Sequence, residues 1–117
     1  MNVIYAKPEM TSLPLGRVGE NERTQIVFDV AETLEEFPDA EIVLLVTKPR
    51  SYDTYEAEIT TPDEEGTVSW TVTADDLTTQ GTGCCQLMAT KGTAVAKSMD
   101  WQTKIEKGLI PPAEVST

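Results

Sequence analysis

The sequence predicts an all-β fold, an antiparallel β-sandwich of about seven to eight strands with immunoglobulin-like or jelly-roll-like architecture. Threonine is the commonest of the 117 residues, and it alternates with Val, Ile, Trp and Tyr in short runs interrupted by Gly, Pro and Asp. Leu, Ile, Val and Phe supply 26 residues, just above the proportion, about 20%, below which a highly charged chain stays disordered. We therefore expect one domain over residues 1–109, with an N-terminal strand and arm over 1–23 and a linker or tail over 110–117.

The first half of the chain contains three clear strand patterns and one short helical pattern. Residues 2–6 form the first predicted strand, and the Pro- and Gly-rich arm that follows is irregular or hides a short strand. Residues 24–30 alternate apolar with polar side chains, whereas residues 31–37 have the three- and four-residue spacing of one or two helical turns. Residues 41–48 are apolar on both faces, which predicts a central strand covered on both sides.

The second half continues with strands and tight connections. Tyr55, Ala57 and Ile59 alternate with glutamates, and residues 61–66 then supply a hairpin-type connection to a strand over 67–73. Thr73 is placed to cap a single helical turn that ends by Gly81. The last two strands cover 84–90 and 93–107. The odd-numbered residues of the final strand from 95 to 105 share one side unless a bulge interrupts so long a strand.

Six side chains on the apolar faces of these strands are predicted to form the core between the two sheets. They are Phe28, Leu44, Val68, Trp70, Val72 and Leu87. We expect the two aromatic members to fill most of the space between the sheets, because large rings bury the greatest area.

No catalytic, cofactor-binding or metal-ligating constellation can be assembled from the residue types present. The chain has no histidine, so Ser-His-Asp and Cys-His arrangements and imidazole metal ligands are excluded. Cys84 and Cys85 are neighbours that point to opposite faces of a strand, and we expect two reduced thiols. We predict a protein that is not an enzyme and has no cofactor. The acidic clusters fall at predicted turns and helix starts, where solvated turns or a calcium site are the two interpretations.

The charge of the chain restricts its partners. Twenty Asp and Glu against nine Lys and Arg give a formal net charge of −11. Proteins bind nucleic acids and anionic membrane surfaces through clusters of Lys and Arg. Because this chain is acidic, we expect neither as a partner. The N-terminal apolar run is too short for a signal peptide, which predicts synthesis and folding in the cytoplasm.

Three aromatic residues are candidates for stacking on sugar rings. They are Trp101 on a polar strand, Tyr52 in a loop and Tyr55 on a strand with one solvated face. An exposed ring at these positions would be available to a glycan, but the first interpretation of Trp101, as of Trp70, is a core position. Burial of Trp70 and Trp101 would remove the best support for this alternative.

Seven short segments together resemble a known family. In chain order they are residues 16–22 (GRVGENE), 27–30 (VFDV), 37–40 (FPDA), 68–73 (VSWTVT), 81–83 (GTG), 86–87 (QL) and 95–98 (VAKS). In order and spacing they resemble the N-terminal β-sandwich domain of upper-baseplate or tail-fibre-type structural proteins from phages and prophages of Gram-positive bacteria. The resemblance extends over residues 2–109.

This resemblance implies a non-catalytic virion structural module that takes part in host adsorption and acts through protein–protein docking. Its expected partners are other phage tail or baseplate proteins. A homo-oligomer is one interpretation, because longer relatives, which carry a C-terminal stem, are commonly trimers. Its expected location is the virion tail or baseplate after synthesis in the host bacterial cytoplasm. A carbohydrate-binding sandwich that recognises host surface glycans is the main alternative, and a calcium-dependent adhesion domain is a third.

Overall fold

The computed structural model describes residues 1–109 and confirms the all-β sandwich. Over this range the chain forms eight strands and one short helix. In chain order they are β1 (Asn2–Ala6), β2 (Ser12–Arg17), β3 (Thr24–Asp29), α1 (Ala31–Glu36), β4 (Glu41–Thr47), β5 (Thr54–Ala57), β6 (Thr67–Thr71), β7 (Gly81–Lys91) and β8 (Ala94–Glu106). One sheet has the strand order β1-β3-β6 and the other β2-β8-β7-β4-β5.

The sheets are mixed, which corrects the expectation of purely antiparallel pairing. β1 pairs parallel with β3, and β2 pairs parallel with β8. The other four pairings are antiparallel. The parallel pairs arise because the chain changes sheets between β1 and β2 and again between β2 and β3, and such crossovers allow parallel strands that hairpins do not.

The N-terminal arm contains β2, the strand that the sequence left undecided. Leu13 and Leu15 point inward and are fully buried, whereas Pro14 between them is exposed. Pro14 and Gly16 interrupt the alternating pattern, and the pairing with β8 shifts register between these two residues. Pro is tolerated here because β2 is an edge strand.

β4 is buried on one face only, which corrects the prediction that both of its faces are covered. Leu44 and Val46 lie in the core between the sheets. Val43 and Leu45 point to the outside of the five-stranded sheet and are partly exposed. Its apolar outer residues are instead shielded by their neighbours on β7, since Val43 is paired with Met88 and Leu45 with Gln86.

The connection over residues 61–66 is a tight turn but does not join two paired strands, because β5 and β6 belong to different sheets. The Asp63 carboxylate organises it. Its Oδ1 accepts hydrogen bonds from the backbone N–H groups of Glu65 and Thr67, both at 2.9 Å, and its Oδ2 accepts one from the Thr67 hydroxyl at 2.6 Å. These bonds to Thr67 and Glu65 hold the pKa of Asp63 below its usual value.

A bulge in β8 changes which residues of that strand face the core. Gln86 pairs with Asp100, but Met88 pairs with Lys97, so two residues of β8 lie opposite Leu87. Beyond the bulge, odd-numbered residues such as Trp101 point inward; before it, Ala96 opposes the buried Ala89. The odd-numbered residues from 95 to 105, which were expected on one side, therefore lie on different faces before and after the bulge.

The core lies between the sheets, and the six residues predicted to form it are all buried there. Phe28, Leu44 and Val68 are inaccessible to solvent, and Trp70, Val72 and Leu87 are nearly so. The rings of Phe28 and Trp101 pack with centroids 5.3 Å apart and planes tilted by 57°. Tilted aromatic pairs of this kind stabilise a core beyond their buried area.

Candidate docking surface

The sandwich is open along two sides, where edge strands of the two sheets face each other. We call these the β1–β2 side and the β5–β6 side, since β1 and β6 are the edges of one sheet and β2 and β5 are the edges of the other. A third concave region, the hairpin groove, lies where the long β7 and β8 strands pass α1. These three regions are the candidate docking surfaces within residues 1–109.

The β5–β6 side is acidic. A groove of about 810 Å³ is lined there by five carboxylate residues, and none of its other lining residues is Lys or Arg. The five are Glu22, Glu56, Glu58, Asp75 and Asp76. This side should therefore repel a polyanion and attract a cationic surface at low ionic strength.

Asp76 connects β5, at the edge of the five-stranded sheet, to the turn that follows β6 of the three-stranded sheet. It is 8% exposed, and its Oδ1 accepts a hydrogen bond from the Tyr55 hydroxyl at 2.6 Å. Its Oδ2 accepts bonds from the Thr73 backbone N–H at 2.9 Å and from the Thr73 hydroxyl at 3.0 Å. An isolated turn lies where the sequence predicts a capped helical turn. Of the two bonds of a capping box, only the one from the Thr73 backbone N–H to the Asp76 carboxylate is formed, because the Asp76 N–H donates to the Thr73 carbonyl and not to the Thr73 hydroxyl.

Tyr55 is held in place by both its hydroxyl and its ring. Burial, followed by the hydrogen bond to Asp76, raises the pKa of Tyr55 far above its usual value. The Lys48 ammonium lies 5.5 Å from the centroid of the ring and donates hydrogen bonds to the Asp75 carbonyl and the Thr78 hydroxyl. These contacts give Tyr55 a structural role at the edge of the sheet.

The β1–β2 side has the opposite character. Its groove, of about 440 Å³, is lined by Arg17, Arg23 and Lys104 together with Glu20 and Glu106. Glu20 accepts hydrogen bonds from the Arg17 backbone N–H at 2.7 Å and from the Arg23 guanidinium at 2.6 Å, and these two bonds lower its pKa. The groove therefore contains three of the nine cationic residues of the chain but only two of its twenty acidic ones.

The hairpin groove is the most apolar of the three. It has a volume of about 400 Å³, and its lining includes Ile42, Leu87, Met88 and Met99. It forms because β7 and β8 have 11 and 13 residues, whereas the strands of the facing sheet have five or six. The inner face of the hairpin therefore extends past the facing sheet.

The three candidate stacking residues are not brought together as an open aromatic surface. Trp101 is only 5% exposed, and its indole N–H donates a hydrogen bond to the Lys7 carbonyl at 3.1 Å. Trp70 is buried as well. Tyr52 is fully exposed on its loop, while Tyr55 is engaged by Asp76 and Lys48. Neither tryptophan is thus available to a sugar ring. The bulge in β8 is the feature that decides the burial of Trp101, and alternation alone does not reveal it.

The cysteines and acidic residues take structural positions. Both cysteines are free thiols, with Cys85 buried in the core and Cys84 partly exposed on the opposite face. Burial raises the pKa of Cys85 to about 12. Over residues 1–109, no three Cys, Asp or Glu side chains come close enough together to bind a metal ion. No helix within this range is long and apolar enough to span a bilayer.

The fold places the chain among two-sheet β-sandwich proteins, a class that includes bacterial and phage proteins. No protein-family model and no curated protein sequence matches the chain. Among solved structures, it is similar to Listeria monocytogenes InlP, with a TM-score of 0.56 and 11% identity. That match covers 83% of this chain but only 26% of InlP, so the chain spans about a quarter of the length of that protein.

A second similar structure is the N-terminal domain of phage TP901-1 ORF48, with a TM-score of 0.54 and 11% identity. Here the match covers 92% of this chain and 100% of the phage domain. At 11% identity the likeness concerns the fold alone. The phage component of the sequence resemblance thus has a counterpart among solved folds.

Proposed function

We propose that this protein is a non-catalytic structural module of a phage or prophage virion, which attaches to other tail or baseplate proteins through protein–protein contacts. The observation that carries the proposal is the match to the phage N-terminal domain over the whole of that domain and nearly all of this chain. The seven sequence segments that resemble baseplate and tail-fibre proteins support it independently.

The contacts of the polar groups agree with a structural role. The main carboxylates that have defined partners bind the chain's own turns and edges: Asp63 binds Thr67, Asp76 binds Tyr55 and Thr73, and Glu20 binds Arg17 and Arg23. A catalytic acid or base instead needs an ionisable group that is free to exchange a proton with a substrate. In this chain the same groups fix the shape of the surface that a neighbour would contact.

Labelling of phage particles tests this proposal. Particles released from the source strain are purified, and antibodies raised against residues 1–109 are located by electron microscopy. We expect label at the tail tip or baseplate, and mass spectrometry of the same particles should detect the chain. Intact tailed particles that contain none of this protein would contradict the virion role.

The same preparation separates docking from glycan recognition. The purified domain is incubated with cell-wall polysaccharide of the host, with Tyr52→Ala as the matched variant because Tyr52 is the exposed member of the stacking candidates. A docking module should show no binding. Saturable binding that Tyr52→Ala abolishes would favour the carbohydrate-binding alternative instead.

A further inference from the structure

We propose that the free edge of β1 accepts an extended segment of a partner protein as an additional strand, and that apolar side chains alternate with carboxylates along this segment. The inference rests on the proposed docking function and specifies its partner chemistry. Strand addition uses main-chain hydrogen bonds for affinity and side chains at alternate positions for specificity.

The other three edges of the sandwich are blocked or occupied. β2 contains Pro14 and a register shift, and β5 has only four residues, one of them Glu56. The edge of β6 is covered by Thr60, whose N–H donates to the Ser69 carbonyl at 3.0 Å and whose hydroxyl accepts from the Ser69 N–H at 2.9 Å. Proteins use Pro, charge, short length and covering segments to prevent unwanted pairing at sheet edges.

Within residues 1–109, β1 has none of these protections. Its five residues, NVIYA, include no charge, no Pro and no Gly, and its pairing with β3 is regular along its full length. The Asn2 N–H donates to the Arg23 carbonyl at 2.8 Å on the β3 side. Because successive residues of a strand direct their backbone groups to opposite sides, the N–H and C=O groups of Val3 and Tyr5 point toward the open edge. They are a ready template for a further strand.

A strand added at this edge would have two different environments. On the outer face of the sheet it would lie beside Val3, 46% exposed, and Tyr5, 61% exposed. On the other face it would look into the groove of the β1–β2 side, where Arg17, Arg23 and Lys104 lie. The backbone of Lys104 takes part in the pairing of β8, but its ammonium group forms no ion pair with any residue in the 1–109 range. Apolar side chains suit the first environment and carboxylates the second.

The chemistry of the partner follows from these two environments, because strand residues alternate between faces. The net charge of this chain, −11, also limits how acidic the partner protein can be as a whole. A wholly acidic protein would be repelled at long range, whereas a short segment whose few carboxylates reach the groove interacts within the Debye length of about 8 Å. The best fit is a short alternating strand on a protein that is otherwise near neutral or basic.

Peptide binding tests the proposal directly. The probe is a nine-residue blocked peptide in which Val and Glu alternate, compared with peptides that carry Gln or Lys in place of every Glu. We expect the Glu peptide to bind to residues 1–109 at least tenfold more tightly than either control. In NMR spectra it should slow hydrogen exchange of the Val3 and Tyr5 amides, which point toward the open edge.

Matched variants separate the backbone edge from the charges. Val3→Pro removes an edge-facing N–H and should weaken binding at least tenfold, whereas Val3→Thr keeps the N–H and should stay within threefold of wild type. Lys104→Gln should weaken binding about threefold to tenfold, while Lys97→Gln, in the hairpin groove, should have no effect. If Val3→Pro does not fold, the amide exchange of the wild-type protein decides the question.

Three outcomes would overturn the inference. Equal binding of the Glu and Gln peptides would show that the partner needs no carboxylates. Unchanged hydrogen exchange at Val3 and Tyr5 would show that the peptide does not bind as an added strand. Concentration-dependent dimerisation in ultracentrifugation that Val3→Pro abolishes would mean that the edge takes a second copy of this chain. None of these measurements depends on where the protein resides. A failure here therefore leaves the virion role intact, and particles without the protein would leave the peptide result intact.

Discussion

Asp76 is the polar residue whose removal should cost the sandwich most. It is nearly buried and accepts three hydrogen bonds, from Tyr55 at 2.6 Å and from two groups of Thr73 at 2.9 and 3.0 Å. Through them it links β5, an edge of the five-stranded sheet, to the turn that follows β6 in the other sheet. Asp76→Ala removes this connection and leaves the partly buried Thr73 N–H without its partner.

The magnitude follows from the nature of these bonds. Hydrogen bonds to a charged acceptor contribute roughly 1.5–3 kcal/mol each, but bonds that share one acceptor group are not additive. We therefore expect Asp76→Ala to lower the free energy of unfolding by about 3 kcal/mol and Tyr55→Phe by about 1.5 kcal/mol, the lower end of that range because Tyr55 is only partly buried. The double variant should be less destabilised than the sum of the two by about 1 kcal/mol, because both remove the same bond.

Urea unfolding followed by tryptophan fluorescence measures all three variants, since Trp70 and Trp101 both report on the core. The midpoint should shift while the dependence on urea stays constant. The Tyr55 pKa is raised in the folded state, so this residue's contribution is complete below pH about 10 and is lost as pH rises further. Asp76→Ala within 0.5 kcal/mol of wild type, or a coupling energy near zero, would refute the proposed linkage.

Three further predictions concern single residues. Trp70→Ala should lower the free energy of unfolding by about 3–5 kcal/mol, whereas Tyr52→Ala on the surface should change it by less than about 0.5 kcal/mol; similar melting of the two variants would mean that the sheet faces are misassigned. At pH 8 a thiol reagent should modify no more than one cysteine of the folded protein, since the pKa of Cys85 is about 12, and a second should react only after unfolding. Because the Asp63 pKa is lowered on folding, its contribution is complete above pH about 4 and is lost as pH falls through the lowered value, so the melting-temperature difference between wild type and Asp63→Ala should shrink at pH 2.

Local patterns in the sequence predicted most of the strands, because alternation reports which face of a strand is buried. Val68, Trp70 and Val72 alternate strictly with polar residues, and all three lie in the core. The short helix over Ala31–Glu36 was likewise visible from its spacing. β2 was hidden because Pro14 and Gly16 mask the inward alternation of Leu13 and Leu15, a pattern that is meaningful only once β8 lies beside it.

Local sequence patterns do not predict which distant strands pair with each other, and the docking surfaces depend on this pairing. The cationic groove on the β1–β2 side joins Arg17 and Arg23 to Lys104, about 80 residues away in the chain. No local sequence pattern predicts this cationic cluster, because each of its members is isolated in a chain that is rich in acidic residues. The acidic β5–β6 side is easier to anticipate, because Glu56 and Glu58 already occupy the wet positions of an alternating strand.

The β8 bulge makes a last prediction possible, because it can be removed by deleting one residue. Ser98 and Met99 together lie opposite Leu87, while pairing is regular on both sides of them. Deleting Met99 leaves Ser98 alone opposite Leu87 and keeps Trp101 opposite Cys85, facing the core. The loss is then limited to the local bonds of the bulge, such as that from the Ser98 hydroxyl to the Met99 carbonyl at 2.7 Å, and should be about 1–2 kcal/mol.

Deleting Gln102 should have a far larger effect, although Gln102 is exposed and distant from the bulge. The strand can regain regular pairing only by moving Asp100 into the core and Trp101 to the surface, since a shift of one residue exchanges the two faces. Loss of the buried tryptophan alone costs about 3–5 kcal/mol, and a buried unpaired carboxylate adds to it, so this variant should not fold stably. Circular dichroism and urea unfolding of the two deletion variants compare them directly. If both deletions are equally tolerated, the bulge does not set the faces of β8, and the burial of Trp101 needs another explanation.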